Sequence, residues 1–234
     1  MPKPMNGRPR GAASAATLFA LGVLLSCCGC PQPSEEPGPT GIVRQPAPNP
    51  PAVPAAGTNL RSFYGVPLGD PPRKVVFILD RSGSMTCSNY FVNYELKRCV
   101  GNLTESDRFH IIFFSSGPPV EMPPRRLVNA TDHNKQLAFE FAKGVEAQGE
   151  TDPSEALRRA FAEGPDTILL LTDGEFAPEV GRLVKDLNKD GKVKVHTIGF
   201  LYKEGEPALK QIAAENGGVY RFISEKDLAD LAEN

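Results

Sequence analysis

Five side chains that carry oxygen ligands lie in three groups along the chain and could together hold a metal ion. They are Asp80, Ser82, Ser84, Thr151 and Asp173. The first three lie within one five-residue stretch, directly after the apolar run at residues 74–79. Because carboxylate and hydroxyl oxygens suit a hard divalent cation better than they suit zinc or copper, the expected ion is Mg²⁺ or Mn²⁺. The composition of these groups therefore predicts a metal site, provided that the fold brings them together.

The elements that must position these residues form an alternating pattern of strands and helices. This alternation predicts an α/β fold: a doubly wound, mostly parallel central sheet flanked by helices. The predicted strands cover residues 74–80, 108–114, 167–172, 192–200 and 219–223, with a short edge strand at 120–122. The predicted helices cover residues 90–103, 133–147, 153–163, 178–189 and 206–216, and Ser224 caps a terminal helix that reaches residue 232.

The predicted fold places the candidate ligands at one edge of the sheet. Asp80 and Asp173 both fall at the carboxyl ends of predicted strands. Ligands of open α/β sheets bind beyond these ends, where the strand order reverses. Thr151 lies just before a predicted helix, which Asp152 and Glu155 are expected to start as a capping box with proline between them. The positions of the candidate ligands in the sequence therefore agree with the place where this fold class binds its ligands.

Taken together and in this order, the three groups resemble the metal-ion-dependent adhesion site of von Willebrand factor type A domains. That family carries Asp-x-Ser-x-Ser after the first strand, a threonine further along and Asp-Gly after the fourth strand, and all five positions are filled here. The resemblance covers roughly residues 73–224. It implies a Rossmann-like fold in which the serines and the threonine touch the metal while the aspartates often act through water. It also implies a partner protein whose Asp or Glu carboxylate takes an open coordination position.

One residue departs from the commonest family pattern. Many relatives have Gly-Gly-Thr where this chain has Gly149, Glu150 and Thr151. Glu150 either adds negative charge beside the ion, which would tighten metal binding and weaken attraction for an acidic ligand, or points into solvent.

Two further functions remain open beside metal-bridged protein binding. The metal could stabilise a scaffold or assembly subunit that meets no ligand, or, as in some relatives, the site could be coupled to the terminal helix as a two-state switch. An enzyme is not expected. Phosphohydrolases with a nucleophilic aspartate usually place a second Asp two positions later, where this chain has Ser82, and the Gly-x-Ser-x-Gly elbow of serine hydrolases does not occur. His110, His133 and His196 are scattered, and the first and last lie inside predicted strands.

The N-terminal residues predict export and a membrane anchor. A basic start and an apolar stretch at residues 12–25, too short for a comfortable membrane span, lead to Cys27 in a context that resembles the lipobox of bacterial lipoproteins. Cys28 and Cys30 are rival acceptors, and an uncleaved signal anchor is the alternative. The predicted organisation is a signal peptide at 1–26, a Pro-rich flexible tether at 27–58 and one domain at 59–234. The chain is thus expected to be lipid-anchored to a bacterial cell membrane, on the periplasmic or the outer face.

Charge argues against one class of partner, and the positions of the cysteines bear on whether a disulfide forms. The formal net charge is −2 and basic runs interleaved with aromatic residues are lacking, which argues against nucleic acid. In an oxidising compartment Cys87 and Cys99 could pair, but Cys99 falls well along a predicted helix that begins after Cys87. Cys99 is therefore expected to be a small buried apolar residue.

Overall fold

The computed structural model describes residues 62–232, with side chains up to residue 229. The predicted signal peptide, the lipidation site Cys27 and the tether lie outside this part of the chain. The strands, in chain order, are β1 (Ser62–Phe63), β2 (Val66–Pro67), β3 (Lys74–Asp80), β4 (Arg108–Phe114), β5 (Val120–Glu121), β6 (Val128–Asn129), β7 (Thr167–Thr172), β8 (Lys194–Phe200) and β9 (Tyr220–Ile223). The helices are α1 (Asn89–Gly101), α2 (Asp132–Lys143), α3 (Ser154–Ala162), α4 (Glu179–Leu187), α5 (Glu206–Glu215) and α6 (Glu225–Ala232), and a 3₁₀ helix (Gly83–Cys87) precedes α1.

The central sheet is mostly parallel, which confirms the predicted fold class. Its order is β5-β4-β3-β7-β8-β9, and β6 pairs with the same strand as β5, at the other end of β4. The five long strands run parallel, whereas β5 and β6 are antiparallel to β4. From β3 the chain first adds β4 on one side and later β7 on the other, so the strand order reverses between β3 and β7. The carboxyl ends of these two neighbouring strands therefore open onto one crevice.

Both faces of the sheet are covered, as the continuously apolar strands require. In β3, Val75, Phe77 and Leu79 face one core, while Val76 and Ile78 face the other. The first core is closed by α1, α2, α6 and the β1–β2 hairpin, and the second by α3, α4 and α5.

A two-stranded hairpin, β1–β2, packs at the first face and was not predicted. The buried carboxylate of Glu95 in α1 accepts hydrogen bonds from the Tyr64 backbone N–H (2.6 Å) and from Arg98 (2.6 Å). The Arg98 guanidinium also donates to the Ser62 carbonyl (2.8 Å). These charged hydrogen bonds fasten the hairpin to α1, and Phe63 completes the contact by packing in the core.

The predicted bounds of β3, β4 and β7 are confirmed, whereas most other predicted elements differ by up to four residues at an end. The reason is clearest around α2 and α3. The predicted helix 133–147 ends at Lys143, because the following residues form a loop whose Gln148 N–H donates to the Arg81 carbonyl (2.7 Å). The predicted capping box is wrong. The Asp152 carboxylate accepts from the N–H of Ser154, only two residues on (2.9 Å), so α3 begins one residue later than expected.

Two further expectations concern the cysteines and the membrane. Cys87 is exposed in the 3₁₀ helix and Cys99 is buried in α1, and both are free thiols. The alternative of a disulfide between them is therefore not realised. Between residues 62 and 232, no helix combines the length and the apolar character that a membrane crossing needs.

Candidate metal centre

Asp80 is the fixed point of the candidate site. Its side chain is fully buried at the end of β3. One carboxylate oxygen accepts from the Ser82 backbone N–H (2.7 Å), and the other accepts from the Thr172 hydroxyl (2.5 Å). The hydrogen bond between Asp80 and Thr172 joins the ends of the neighbouring strands β3 and β7. The Thr172 hydroxyl is itself held in place, because it accepts from the Gly174 N–H (3.1 Å).

A chain of hydroxyls connects this point to the second aspartate. The Ser82 and Ser84 hydroxyl oxygens lie 3.0 Å apart, and the Ser84 hydroxyl donates to Asp173 Oδ1 (2.8 Å). The fold thus brings Asp80, Ser82, Ser84 and Asp173 together, although Asp173 is 89 residues away from Ser84 in the chain.

The second carboxylate oxygen of Asp173 is the strongest indication that a ligand binds at this site. The side chain is only 3% exposed, and its buried Oδ2 has no hydrogen-bond partner within residues 62–232. The pKa of Asp173 is raised to about 6, chiefly by burial and to a smaller extent by the nearby Asp80 charge, against the lowering effect of the hydrogen bond from Ser84. Burial also raises the pKa of Asp80. Burial disfavours the charged form of both carboxylates, and a divalent cation would stabilise that form, so these residues fit the expected metal.

Thr151 reaches the same place from the loop before α3. A Cβ atom built on Gly174 would lie 3.1 Å from the Thr151 hydroxyl oxygen, so this hydroxyl packs against the loop that carries Asp173. The backbone of the adjacent Glu150 is held on both sides by Ser116, whose N–H donates to the Glu150 carbonyl (2.7 Å) and whose hydroxyl accepts from the Glu150 N–H (3.0 Å).

The loops that carry the site are locked to one another through Gly149. The Gly83 N–H donates to the Gly149 carbonyl (3.0 Å), which ties the serine loop to the threonine loop. Gly149 has φ +80°, and a Cβ atom there would approach the Ser116 hydroxyl to 2.8 Å. The backbone conformation therefore favours glycine at this position, and a side chain here would also displace the Ser116 hydroxyl from Glu150.

An open depression lies over these residues. Its lining consists of Ser82, Gly83, Ser84, Gly149, Glu150, Thr151, Glu175, Phe176 and Ala177. Glu150, the departure from the family pattern, is exposed at this depression, as is Glu175.

Histidine and cysteine contribute nothing to the candidate site. Among residues 62–232, no group of three or more His, Cys, Asp or Glu side chains is arranged to hold a metal ion, so any site here depends on the hydroxyls. His110 and His196 are buried inside β4 and β8. The first lies 3.1 Å from the Glu121 carboxylate and the second accepts a backbone hydrogen bond from Val219 (3.0 Å), which are structural roles.

Sequence reasoning missed two residues that shape the site. Thr172 orients Asp80 through its hydroxyl, and Gly174 leaves the room that Thr151 occupies. Both belong to the predicted strand end and the Asp-Gly pair, but neither was assigned a role.

Comparison with known proteins agrees with this geometry. A family model described as von Willebrand factor type A domain matches residues 73–222. Inter-alpha-trypsin inhibitor heavy chain H4 of Sus scrofa is 31% identical over 175 residues, covering 66% of this chain and 18% of that protein. Heavy chain H3 of Homo sapiens is 29% identical over 191 residues, covering 72% of this chain and 21% of that protein. The chain thus spans about a fifth of the length of these curated relatives.

Solved structures show the same fold. The von Willebrand factor type A protein from Catenulispora acidiphila superposes with a TM-score of 0.58 at 25% identity, covering 69% of this chain and 40% of that one. Proximal thread matrix protein 1 from the mussel byssus, with a zinc-occupied MIDAS motif, has a TM-score of 0.52 at 22% identity and covers 68% and 43%. Members of the matched family often bind a metal ion at such a motif and mediate protein interactions. This chain belongs to the von Willebrand factor type A domain family.

Proposed function

We propose that this chain binds Mg²⁺ or Mn²⁺ and, through the metal, a carboxylate of a partner protein. The residues that would hold the ion are Asp80, Ser82, Ser84, Thr151 and Asp173. The observation that carries the proposal is the buried Asp173 oxygen without a hydrogen-bond partner, which lies beside a second buried carboxylate and a chain of hydroxyls. The proposed activity is binding, with no catalytic step.

The residues divide the work by charge. Asp80 and Asp173 supply the negative charge that retains a divalent ion, while the three hydroxyls coordinate it as neutral ligands. Neutral ligands leave the ion attractive to one more anion, and Mg²⁺ that keeps waters can exchange one of them for a carboxylate. The depression above the site gives a partner side chain access from solvent.

Thermal unfolding of the full-length protein in mild detergent tests the metal part of the proposal. Mg²⁺ or Mn²⁺ at a hundred times its dissociation constant should stabilise the native state by about 2.7 kcal/mol relative to EDTA. Asp80→Asn and Ser82→Ala should lose this gain, whereas Asp186→Asn, on an exposed face of α4, should keep it. The same unfolding measurements should be repeated with Zn²⁺, because the thread matrix protein has zinc at its motif. An unchanged gain in Asp80→Asn would refute the assignment.

The alternative, a metal-stabilised scaffold without a ligand, predicts a different result. A metal-dependent gain in stability would then occur, but the Mn²⁺ ion would have no exchangeable water. Water-proton relaxation of the Mn²⁺ protein, titrated with acetate, separates the two functions. Displacement of a bound water by acetate supports a ligand-accepting site, and its absence supports the scaffold.

We also propose that the domain is exported and held at a bacterial membrane through acylation of Cys27. The apolar stretch at residues 12–25 followed by this cysteine supports the proposal. Cys27→Ala should release the protein from the membrane fraction and abolish the lipid mass on the mature N-terminus. Retention of the variant at the membrane would favour the uncleaved signal anchor.

A further inference from the structure

The depression over the candidate metal site continues into a groove between α4 and α5. Three residues, Glu175, Phe176 and Ala177, line both the depression and the groove. The rest of the groove is lined mainly by α4, which contributes Gly181, Arg182 and Lys185, and by α5, which contributes Ile212. The depression and the groove are therefore adjacent parts of one surface.

The groove has an apolar floor that belongs to the core. Ile212 of α5 is only 1% exposed, and Phe176 is half-buried and packs against the same core cluster. Gly181 of α4 borders the groove without a side chain, and a Cβ atom built there has open space around it. The groove can therefore receive an apolar side chain without rearrangement of the helices.

The groove is attached rigidly to the loop that carries Asp173. A Cβ atom at Gly205, directly before α5, would lie 2.5 Å from the Gly174 carbonyl oxygen. This close backbone contact fixes the start of α5 beside the residue that follows Asp173. The metal end and the groove are consequently parts of one surface with a set spacing.

The metal end of this surface carries an excess of negative charge. Glu150 and Glu175 are the charged residues that line the depression, and both are exposed. Neither carboxylate makes an ion pair or a hydrogen bond with any other residue between 62 and 232. Asp80 and Asp173 lie beneath them, so four carboxylates surround the candidate site, and a bound divalent ion would neutralise two of these charges. A partner carboxylate would therefore bind there more favourably when a cation accompanies it.

We propose that the depression and the α4–α5 groove form one docking site for an extended peptide segment of a partner protein. In that segment, the metal-bound carboxylate is accompanied by a basic residue that pairs with Glu150 and Glu175, and by an apolar residue that occupies the groove. This inference rests on the proposed metal-bridged binding, and it specifies the chemistry of the partner. Charge complementarity and the continuity of the two cavities carry it.

Selection from a phage-displayed library of random dodecapeptides tests the partner chemistry. The probe is the library itself, bound to the full-length protein in Mg²⁺ and eluted with EDTA. Recovered peptides should carry Asp or Glu with Lys or Arg within about three positions, and an apolar residue nearby. Acidic peptides without enrichment of basic neighbours would overturn the inference.

Variants then test the surface with one recovered peptide, measured by fluorescence polarisation. Glu150→Gln and Glu175→Gln should each weaken binding about twofold to fivefold, the range expected for an exposed ion pair. Glu179→Gln is the control, because this exposed residue of α4 lines neither cavity. Gly181→Leu should fill the groove and weaken binding about tenfold, whereas Gly101→Leu, equally free of contacts at the end of α1, should not.

Titration of each variant with Mn²⁺ alone separates this inference from the proposed function. Retained Mn²⁺ affinity together with weaker peptide binding supports the docking site. If peptides bind in a Mg²⁺-dependent way but with the same affinity to the groove variant and to the glutamate variants, the docking site is refuted and the proposed function is retained. Failure of the unmodified protein to bind Mn²⁺ would refute both.

Discussion

We expect folding stability to fall at acidic pH because His196 must remain neutral in the folded protein. The ring is 4% exposed inside β8, and its Nδ1 accepts the Val219 N–H (3.0 Å), a role that a protonated nitrogen cannot fill. Burial, with a smaller contribution from the charge of Lys194, lowers the pKa of His196 from 6.5 to about 4. The unfolded chain therefore binds a proton more readily than the folded chain between these two values.

The sign and the size of the effect follow from this difference. The contribution of the neutral ring is fully present above pH 6.5 and is lost as the pH falls through 4. Each unit of pKa difference corresponds to about 1.4 kcal/mol, so the loss at pH 5, still above the folded pKa, should be about 2 kcal/mol. Reversible urea unfolding in EDTA at pH 7.5 and at pH 5 measures it.

A comparison with His196→Asn isolates this histidine from other titrating groups. The asparagine oxygen can accept the same backbone hydrogen bond but does not titrate. The difference in unfolding free energy between the two proteins should therefore shrink, or change sign, by about 2 kcal/mol from pH 7.5 to pH 5. A difference that stays constant across this range would refute the reasoning, because contributions common to both proteins cancel.

Two further predictions concern close packing and a buried ion pair. A Cβ atom at Gly218 would lie 1.9 Å from the Val195 carbonyl oxygen, so Gly218→Ala should destabilise the protein by at least about 2 kcal/mol in urea unfolding. The control Gly181→Ala, where a Cβ atom has open space, should be neutral or stabilising by up to about 1 kcal/mol. Asp107→Asn should cost about 3–5 kcal/mol, because it leaves the Arg73 guanidinium, 2% exposed, without its buried carboxylate partner (3.0 Å). A loss below about 1 kcal/mol in either destabilising variant would contradict its explanation.

The parallel sheet could be predicted from sequence because its strands are long enough to carry a pattern. Residues 168–171 are continuously apolar, and the structure buries them together with the flanking threonines in β7. The hairpin of β1 and β2 and the strand β6 were missed because each strand has two residues and owes its pairing to a partner distant in sequence or to a tight turn. Such strands have no period to detect. Among the two-residue strands between residues 62 and 232, β5 alone was predicted, as the edge strand near residues 120–122.

The candidate site could be predicted as a set of residues but not as a network. The order and spacing of Asp80 and Asp173 after apolar runs indicated that they would meet at one end of the sheet. The hydroxyl of Thr172 was not noticed, because a threonine at a strand end is typical of any β-strand. The role of Gly174 depends on the approach of Thr151 across the crevice, which no local pattern encodes.

The attachment of the β1–β2 hairpin to α1 also determines how the domain would respond to mechanical load. A pull on the N-terminal side of Ser62 reaches the Glu95–Arg98 hydrogen bonds first, since these hold Ser62 and Tyr64 against the helix. Neither hairpin strand belongs to the central sheet, so their detachment breaks no hydrogen bond between its strands, although it withdraws Phe63 from the core. The hairpin is therefore placed to yield before the sheet does, and a domain pulled from its N-terminal side could lengthen there while the proposed metal site stays assembled.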